Sequence, residues 1–111
     1  APWIWKGILE KEKIIAFLDF GISRHLKYGK GEIYAIYVLP EYQRCGAGTL
    51  LMSQAIEQLQ QKNLSPYIVI TLENNIPAQK FYESIGFNFS DKILAHIGES
   101  DYTENVYVKS P

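Results

Sequence analysis

Residues 38–51 read "VLPEYQRCGAGTLL". An extended apolar run stops at Pro40, a polar turn follows, and two glycines, Gly46 and Gly48, introduce a run with helical spacing. Glycines cost backbone entropy and weaken a helix, so a pair at a helix start implies that something needs the backbone bare there. A strand that passes through a glycine-flanked turn into a helix is a place to bind phosphate. The first amides of a helix have no internal partner, and the helix dipole puts partial positive charge on them. Gly46 and Gly48 remove Cβ atoms that would hold an anion away, and Arg44 adds a full charge with several donors.

The segments on either side set the fold class. Upstream, "EIYAIYVL" at 32–39 is a strand, apolar on both faces apart from Glu32, which predicts a central position. "WIWKGILE" and "KIIAFLDFGIS" are rich in aromatic and β-branched residues and flank the charged cluster Glu10-Lys11-Glu12-Lys13, which predicts an antiparallel hairpin with Trp3, Trp5, Phe17 and Phe20 in its core. The polar, glycine-bearing "RHLKYGKG" is a loop. Downstream, apolar residues at 47, 51, 55 and 59, with 52 and 56 beside them, predict a helix over 47–62. "PYIVITL" is a second buried strand. "NIPAQKFYESIG" is a second helix, with Asn74 or Asn75 as its cap, Pro77 in its first turn and Gly86 at its end. "FNFSDKILAHI" and "TENVYVK" are closing strands. The order is β-β-β-α-β-α-β-β, an α/β (α+β) domain with an antiparallel start and a crossover helix.

Composition bounds the function. The 111 residues suffice for one domain, and 47% hydrophobic residues suffice for a core. A net charge of −1 gives no broad pull toward nucleic acid or an anionic membrane. No apolar run approaches the ~20 residues of a membrane span. "APWIWKGILE" lacks the layout of a signal peptide. A single cysteine, Cys45, cannot form an internal disulfide, and the cytoplasm is the default compartment. His25 and His96 are too isolated for a metal site.

The phosphate pattern is neither of two common ones. A P-loop needs Lys-Ser/Thr after its last glycine, and here Gly48 is followed by Thr49-Leu50. The dinucleotide pattern needs three glycines in a unit that opens the fold, and this turn follows the third strand. "QRCGAG", 43–48, resembles instead the Gln/Arg-x-x-Gly-x-Gly/Ala signature of the GNAT superfamily of acyl-coenzyme A-dependent N-acetyltransferases. "NIPAQKFYESIGF", 75–87, resembles that family's Asn-x-x-Ala-x-x-Phe-Tyr-Glu-x-x-Gly-Phe segment, and "EIYAIYVLPEYQ" is similar to its central strand. The likeness covers about residues 3–108. Family members usually begin with a strand and one or two helices that wall the acceptor site, so the resemblance implies a single domain over 1–111 that is N-terminally incomplete.

The resemblance implies a mostly antiparallel mixed sheet with a central parallel pair splayed for acetyl-coenzyme A, the co-substrate, with no metal. Gln43, Arg44, Cys45, Gly46, Ala47, Gly48 and Thr49 would hold the pyrophosphate, mainly through amides; Cys45 reads as a spacer, with no base beside it. Ile36, Tyr37 and Val38 would pair with the pantetheine arm as an added strand does. Asn75 would contact the pantetheine or cap its helix. Tyr82 would protonate the leaving thiolate: the parent thiol has a pKa of about 8.5 and a phenol about 10, so a phenol in reach can stabilise the charge or give up its proton. An amine acceptor must lose a proton before attack. Glu32 is the candidate base, since alternation sets 32, 34, 36 and 38 on one face. A solvated strand-end charge is the other reading of Glu32, and Glu73 stands in reserve.

These features predict an N-acetyltransferase that moves acetyl from acetyl-coenzyme A to an amine on a small molecule or a protein by direct attack. Nucleic acid and membrane are not expected partners, and a homodimer stays open. A non-catalytic acyl-coenzyme A-binding or sensor module would keep residues 43–49 and have no need of Tyr82 or Glu32.

Overall fold

The β-branched segments form six strands and the two periodic segments form helices in the computed structural model, which describes residues 3–43 and 45–111. Strands β1 (Trp3–Glu10) and β2 (Lys13–Ile22) make the expected hairpin. Its turn residues Lys11 and Glu12 adopt φ of 50° and 67°, the twist-compatible geometry of a two-residue hairpin loop. Strand β3 (Gly31–Val38) leads through a short 3₁₀ turn (Pro40–Tyr42) to helix α1 (Ala47–Gln61). Then follow β4 (Tyr67–Leu72), α2 (Ile76–Ile85), β5 (Asn88–Ile97) and β6 (Ser100–Lys109). The sheet order is β1-β2-β3-β4-β6-β5, and β3–β4 is its parallel pair. That pair needs a crossover, which α1 supplies.

Both helices cover one sheet face. Leu51, Met52, Ala55 and Leu59 of α1 and Tyr82 of α2 join Ala16, Leu18, Phe20, Ile33, Tyr67, Val69 and Tyr107 in one buried cluster. The helical spacing at 47, 51, 55 and 59 thus becomes a buried stripe. Ala78, Phe81 and Ile85 add the matching stripe of α2.

The second face is covered in part by the loop over residues 23–30. Lys30 N–H donates to the Pro66 carbonyl at 2.9 Å, and the Tyr28 hydroxyl donates to Asp91 Oδ2 at 2.5 Å. A Cβ on Gly29 would meet the Pro66 carbonyl oxygen at 2.6 Å and the Ile68 side chain at 2.7 Å, so the loop lies flat only because position 29 is bare. Arg24 closes over Glu32 from this loop, and Glu32, Ile68 and Val106 are fully buried.

One irregularity in β3 matters for the site. The β2–β3 register runs Leu18↔Ile36 and Asp19↔Ala35, then slips to Phe20↔Ile33, which leaves Tyr34 without a partner. This is a β-bulge, and it reverses the side-chain alternation. Ile33 lies in the helix-face cluster, and Ile36 and Val38 pack against that same cluster. Glu32 therefore sits on the face opposite Ile36 and Val38, and the expected sharing of one face by 32, 34, 36 and 38 is corrected.

Candidate functional site

Parallel pairing between β3 and β4 covers only Gly31↔Tyr67, Glu32↔Ile68 and Ile33↔Val69, although the strands run on to Val38 and Leu72. Past Ile33 the two strands part. A pocket of about 700 Å³ on the helix face is lined there by Ile36 and Val38 of β3 and Thr71 of β4. The turn into α1 closes one end with Gln43, Gly46, Gly48 and Thr49, and α2 forms a wall with Asn75, Pro77, Ala78, Phe81 and Tyr82. The volume suits a sizeable ligand.

The turn has the features of an anion site. Gly46 occupies the N-cap position of α1 in the left-handed region, φ 84°, and no side chain caps the helix. The Leu50 N–H makes a helical bond to the Gly46 carbonyl at 3.0 Å, and the amides of Ala47, Gly48 and Thr49 before it have no hydrogen-bond partner among the described residues. A Cβ on Gly46 would meet nothing within 4 Å, which leaves open space before those amides. Gly48 is bare for a different reason. Its Cβ would stand 3.2 Å from Phe81 and 3.6 Å from Val38, so it allows α1 to approach α2 and β3. Gln43 Nε2 donates to the Val38 carbonyl at 3.2 Å and ties the turn to the end of β3.

Tyr82 is 7% exposed and lies between Phe81 and Phe87, with ring centroids at 5.7 and 6.2 Å. Burial raises its phenol above the ordinary value, so it keeps its proton at neutral pH. Asn75 caps α2, its Oδ1 accepting from the Ala78 N–H at 3.3 Å, which decides between Asn74 and Asn75.

Ile36, Val38, Gln43, Gly46, Gly48, Thr49, Asn75 and Tyr82 thus meet at one pocket. Others stand apart. Tyr37 projects to the second face, half exposed, its ring 5.7 Å from that of Phe17. Ala47 turns its methyl into the core. Cys45 is exposed and donates its S–H to the Tyr42 carbonyl at 2.8 Å. Arg44 lies outside the described residues. Glu32 does not line the pocket: Oε1 accepts the Arg24 backbone N–H at 2.9 Å, and Oε2 pairs with the Arg24 guanidinium at 2.7 Å. Glu73 is half exposed and paired with Lys92 at 3.2 Å.

Four lining residues escaped the sequence reading. Ala78 and Phe81 could have been found from the helical spacing that groups them with Tyr82 and Ile85, and Thr71 from its two-residue step beyond Val69. Pro77 had been read only as a first-turn residue. Among the described residues, no group of three or more His, Cys, Asp or Glu side chains is placed to hold a metal ion, and no helix is long and apolar enough to cross a membrane.

The family profile described as "Acetyltransferase (GNAT) family" matches residues 1–87. YuaI, an uncharacterised N-acetyltransferase of Bacillus subtilis, is 41% identical over 76 residues, which is 68% of this chain and 43% of the relative. The ribosomal protein bS18-alanine N-acetyltransferase of Haemophilus influenzae is 36% identical over 77 residues, 69% of this chain and 45% of the relative. The chain therefore spans less than half the length of these curated relatives. Among solved structures, a Bacillus anthracis protein in complex with acetyl coenzyme A, provisionally a streptothricin acetyltransferase, superposes with a TM-score of 0.83 at 25% identity, over 99% of this chain and 63% of the other.

Proposed function

The chain belongs to the acetyltransferase (GNAT) family, and from that premise we propose that it transfers acetyl from acetyl-coenzyme A to an amine. The observation that carries this reading is the junction of an uncapped helix start with the gap between β3 and β4. Anion-ready amides stand at one end, unpaired strand edges run along the middle, and a buried tyrosine stands in the wall. The fit to acetyl-coenzyme A is supported by the open space before Gly46 and by the ligand of the Bacillus anthracis neighbour.

In this reading the amides of residues 46–49 hold the pyrophosphate, with Arg44 as an added charge. Backbone groups of Ile36, Tyr37 and Val38, freed where β4 departs, pair with the pantetheine arm. Asn75 holds the start of α2 in register with that arm. The coenzyme supplies an activated thioester. Tyr82 hydrogen-bonds the departing thiolate sulfur and can pass it a proton; burial raises the phenol and makes it the weaker acid, so most of its effect is to stabilise the developing charge. The gain over solution comes mainly from holding the two reactants in position.

Glu32 is our candidate base, acting through water from the second face. Its replacement by Gln should lower turnover chiefly at lower pH, where the acceptor is most fully protonated. General bases contribute about 10²–10⁴-fold. A pH–rate profile matching the parent would move the role to Glu73. The Arg24 ion pair on Glu32 favours one competing reading, a coenzyme-binding module without catalysis, because it occupies the carboxylate. Thiol release from acetyl-coenzyme A across an amine panel separates the two. Coenzyme binding without release for any amine supports the module, and release supports the enzyme.

A further inference from the structure

The second sheet face, behind the gap, carries an acid that no ion pair among the described residues answers. Asp19 of β2 pairs across the strands with Trp5 of β1 and Ala35 of β3, so these side chains form one row. Asp19 Oδ1 is buried, with no hydrogen-bond partner among the described residues. The ion pairs among the described residues use Arg24, Lys92 and His96, and none reaches Asp19. The nearby Glu32 is already answered by Arg24, so Asp19 is the uncompensated anion on this part of the face.

The surroundings of Asp19 suit a cation. Beside its row, Trp5 stacks on Phe17 with centroids 6.2 Å apart, and Phe17 meets Tyr37 at 5.7 Å. Trp5 and Tyr37 remain 45% and 48% exposed, so a solute can reach them. Aromatic faces attract ammonium groups, and a carboxylate oxygen removed from water, as Asp19 Oδ1 is, recovers its lost hydration only from a donor. On the side toward the gap, the β3 partner of Asp19 is Ala35, an exposed residue whose neighbour Ile36 lines the pocket. Strands lie ~4.7–4.9 Å apart, so Asp19 is about one to two strand spacings, roughly 5–10 Å, from the gap.

We propose that Asp19, flanked by Trp5, Phe17 and Tyr37, anchors a second positively charged group of the acceptor, whose amine enters the gap over Ala35. The acceptor class is then an amine that carries a further cationic centre a short reach from the nitrogen acetylated. The proposal rests on the acetyltransferase reading above and names the substrate class of that site.

The test compares cadaverine with n-pentylamine, which share a five-carbon chain and differ in one ammonium group. In the protein at its natural length, the preference for cadaverine in kcat/KM should fall about tenfold or more in Asp19→Asn, and the loss should lie in KM. Ala35→Leu, which fills the stretch between the gap and Asp19 without touching the charge, should lower the preference as well, because only the second ammonium of cadaverine has to reach past it to Asp19, and it keeps the test valid if Asp19→Asn does not fold. An unchanged preference in both variants overturns the anchor. So does an equal loss of kcat with both amines, which would make Asp19 a base. Calorimetry of cadaverine with coenzyme A present decides the matter without turnover. Parent binding that weakens tenfold in Asp19→Asn supports the anchor, and equal binding or no binding by the parent overturns it. Absence of thiol release with any amine defeats the acetyltransferase reading alone and leaves this calorimetric result standing.

Discussion

Tyr82 is the residue on which chemistry and packing coincide. Its side chain joins the cluster between α2 and the sheet, and the same residue lines the pocket. Tyr82→Phe keeps the ring and removes the proton. Coenzyme affinity should hold while acetyl transfer falls about 10²-fold or more; a kcat equal to the parent's would strip Tyr82 of its role. The same burial predicts a pH effect on stability. Desolvation raises the phenols of Tyr82 and Tyr67 in the folded state, so folding holds protons that the unfolded chain releases near pH ~10. Their contribution is complete below that pH and is lost as pH climbs through the folded values. Urea midpoints should drop on the alkaline side, and less so in Tyr82→Phe. Tyr82 and Asn75 were reachable as site residues only through the resemblance of residues 75–87 to the family segment, since one tyrosine among eight carries no role by identity alone. Glu32 was legible as a type and misread as to face. Its orientation depends on the bulge at Tyr34, where β3 carries one residue more than β2. Nothing within "EIYAIYVL" marks a slip that exists only between two strands.

At the scale of elements, the two glycines of the turn divide their labour. Gly46 takes a left-handed φ with open space around its missing Cβ, and Gly48 takes an ordinary helical place against Phe81. Gly46→Ala should therefore cost about 1–2 kcal/mol of backbone strain and put a methyl where the anion would stand. Gly48→Val should disturb the α1–α2 contact, with an overpacking cost of about 1–3 kcal/mol. Thermal unfolding and coenzyme calorimetry on both variants should give the larger affinity loss per unit of stability for Gly46→Ala. A Gly46→Ala protein with parental affinity would overturn the phosphate assignment. Helix and strand identities were legible because period and caps are local. The parting of β3 from β4 was implied by family likeness, and its local cause is only half visible: β3 is buried through Ile33 and then alternates between partial and full exposure. The loop over residues 23–30 read as a polar connection, and its closure over Glu32 and Ile68 depends on contacts far apart in the chain, such as Tyr28 with Asp91.

For the whole molecule, the division of the sheet into two faces sets what these 111 residues can do alone. The helix face holds the pocket, lined by β3, β4, the turn into α1 and α2. The second face is only partly covered, by the loop over residues 23–30, and Trp5, Tyr37 and Asp19 lie on its open part. The proposed coenzyme contacts belong to the first face and the proposed acceptor contacts to the second. Coenzyme binding should therefore be retained by the isolated chain, whereas alignment of an amine should not. Alignment carries much of the barrier reduction in such reactions, up to about 7–11 kcal/mol. The expected outcome is a chain that binds coenzyme A in calorimetry but releases thiol slowly, its choice among amines limited to what Asp19 and its aromatic neighbours supply. Turnover and selectivity should rise wherever further chain or a partner covers the open part of the second face, with coenzyme affinity changing little. Both quantities should be measured on one preparation with that cover and one without it. Full, acceptor-selective turnover by these residues alone, as a monomer, would mean that the partly open face already positions the amine, and the separation of coenzyme and acceptor functions between the two faces would fall.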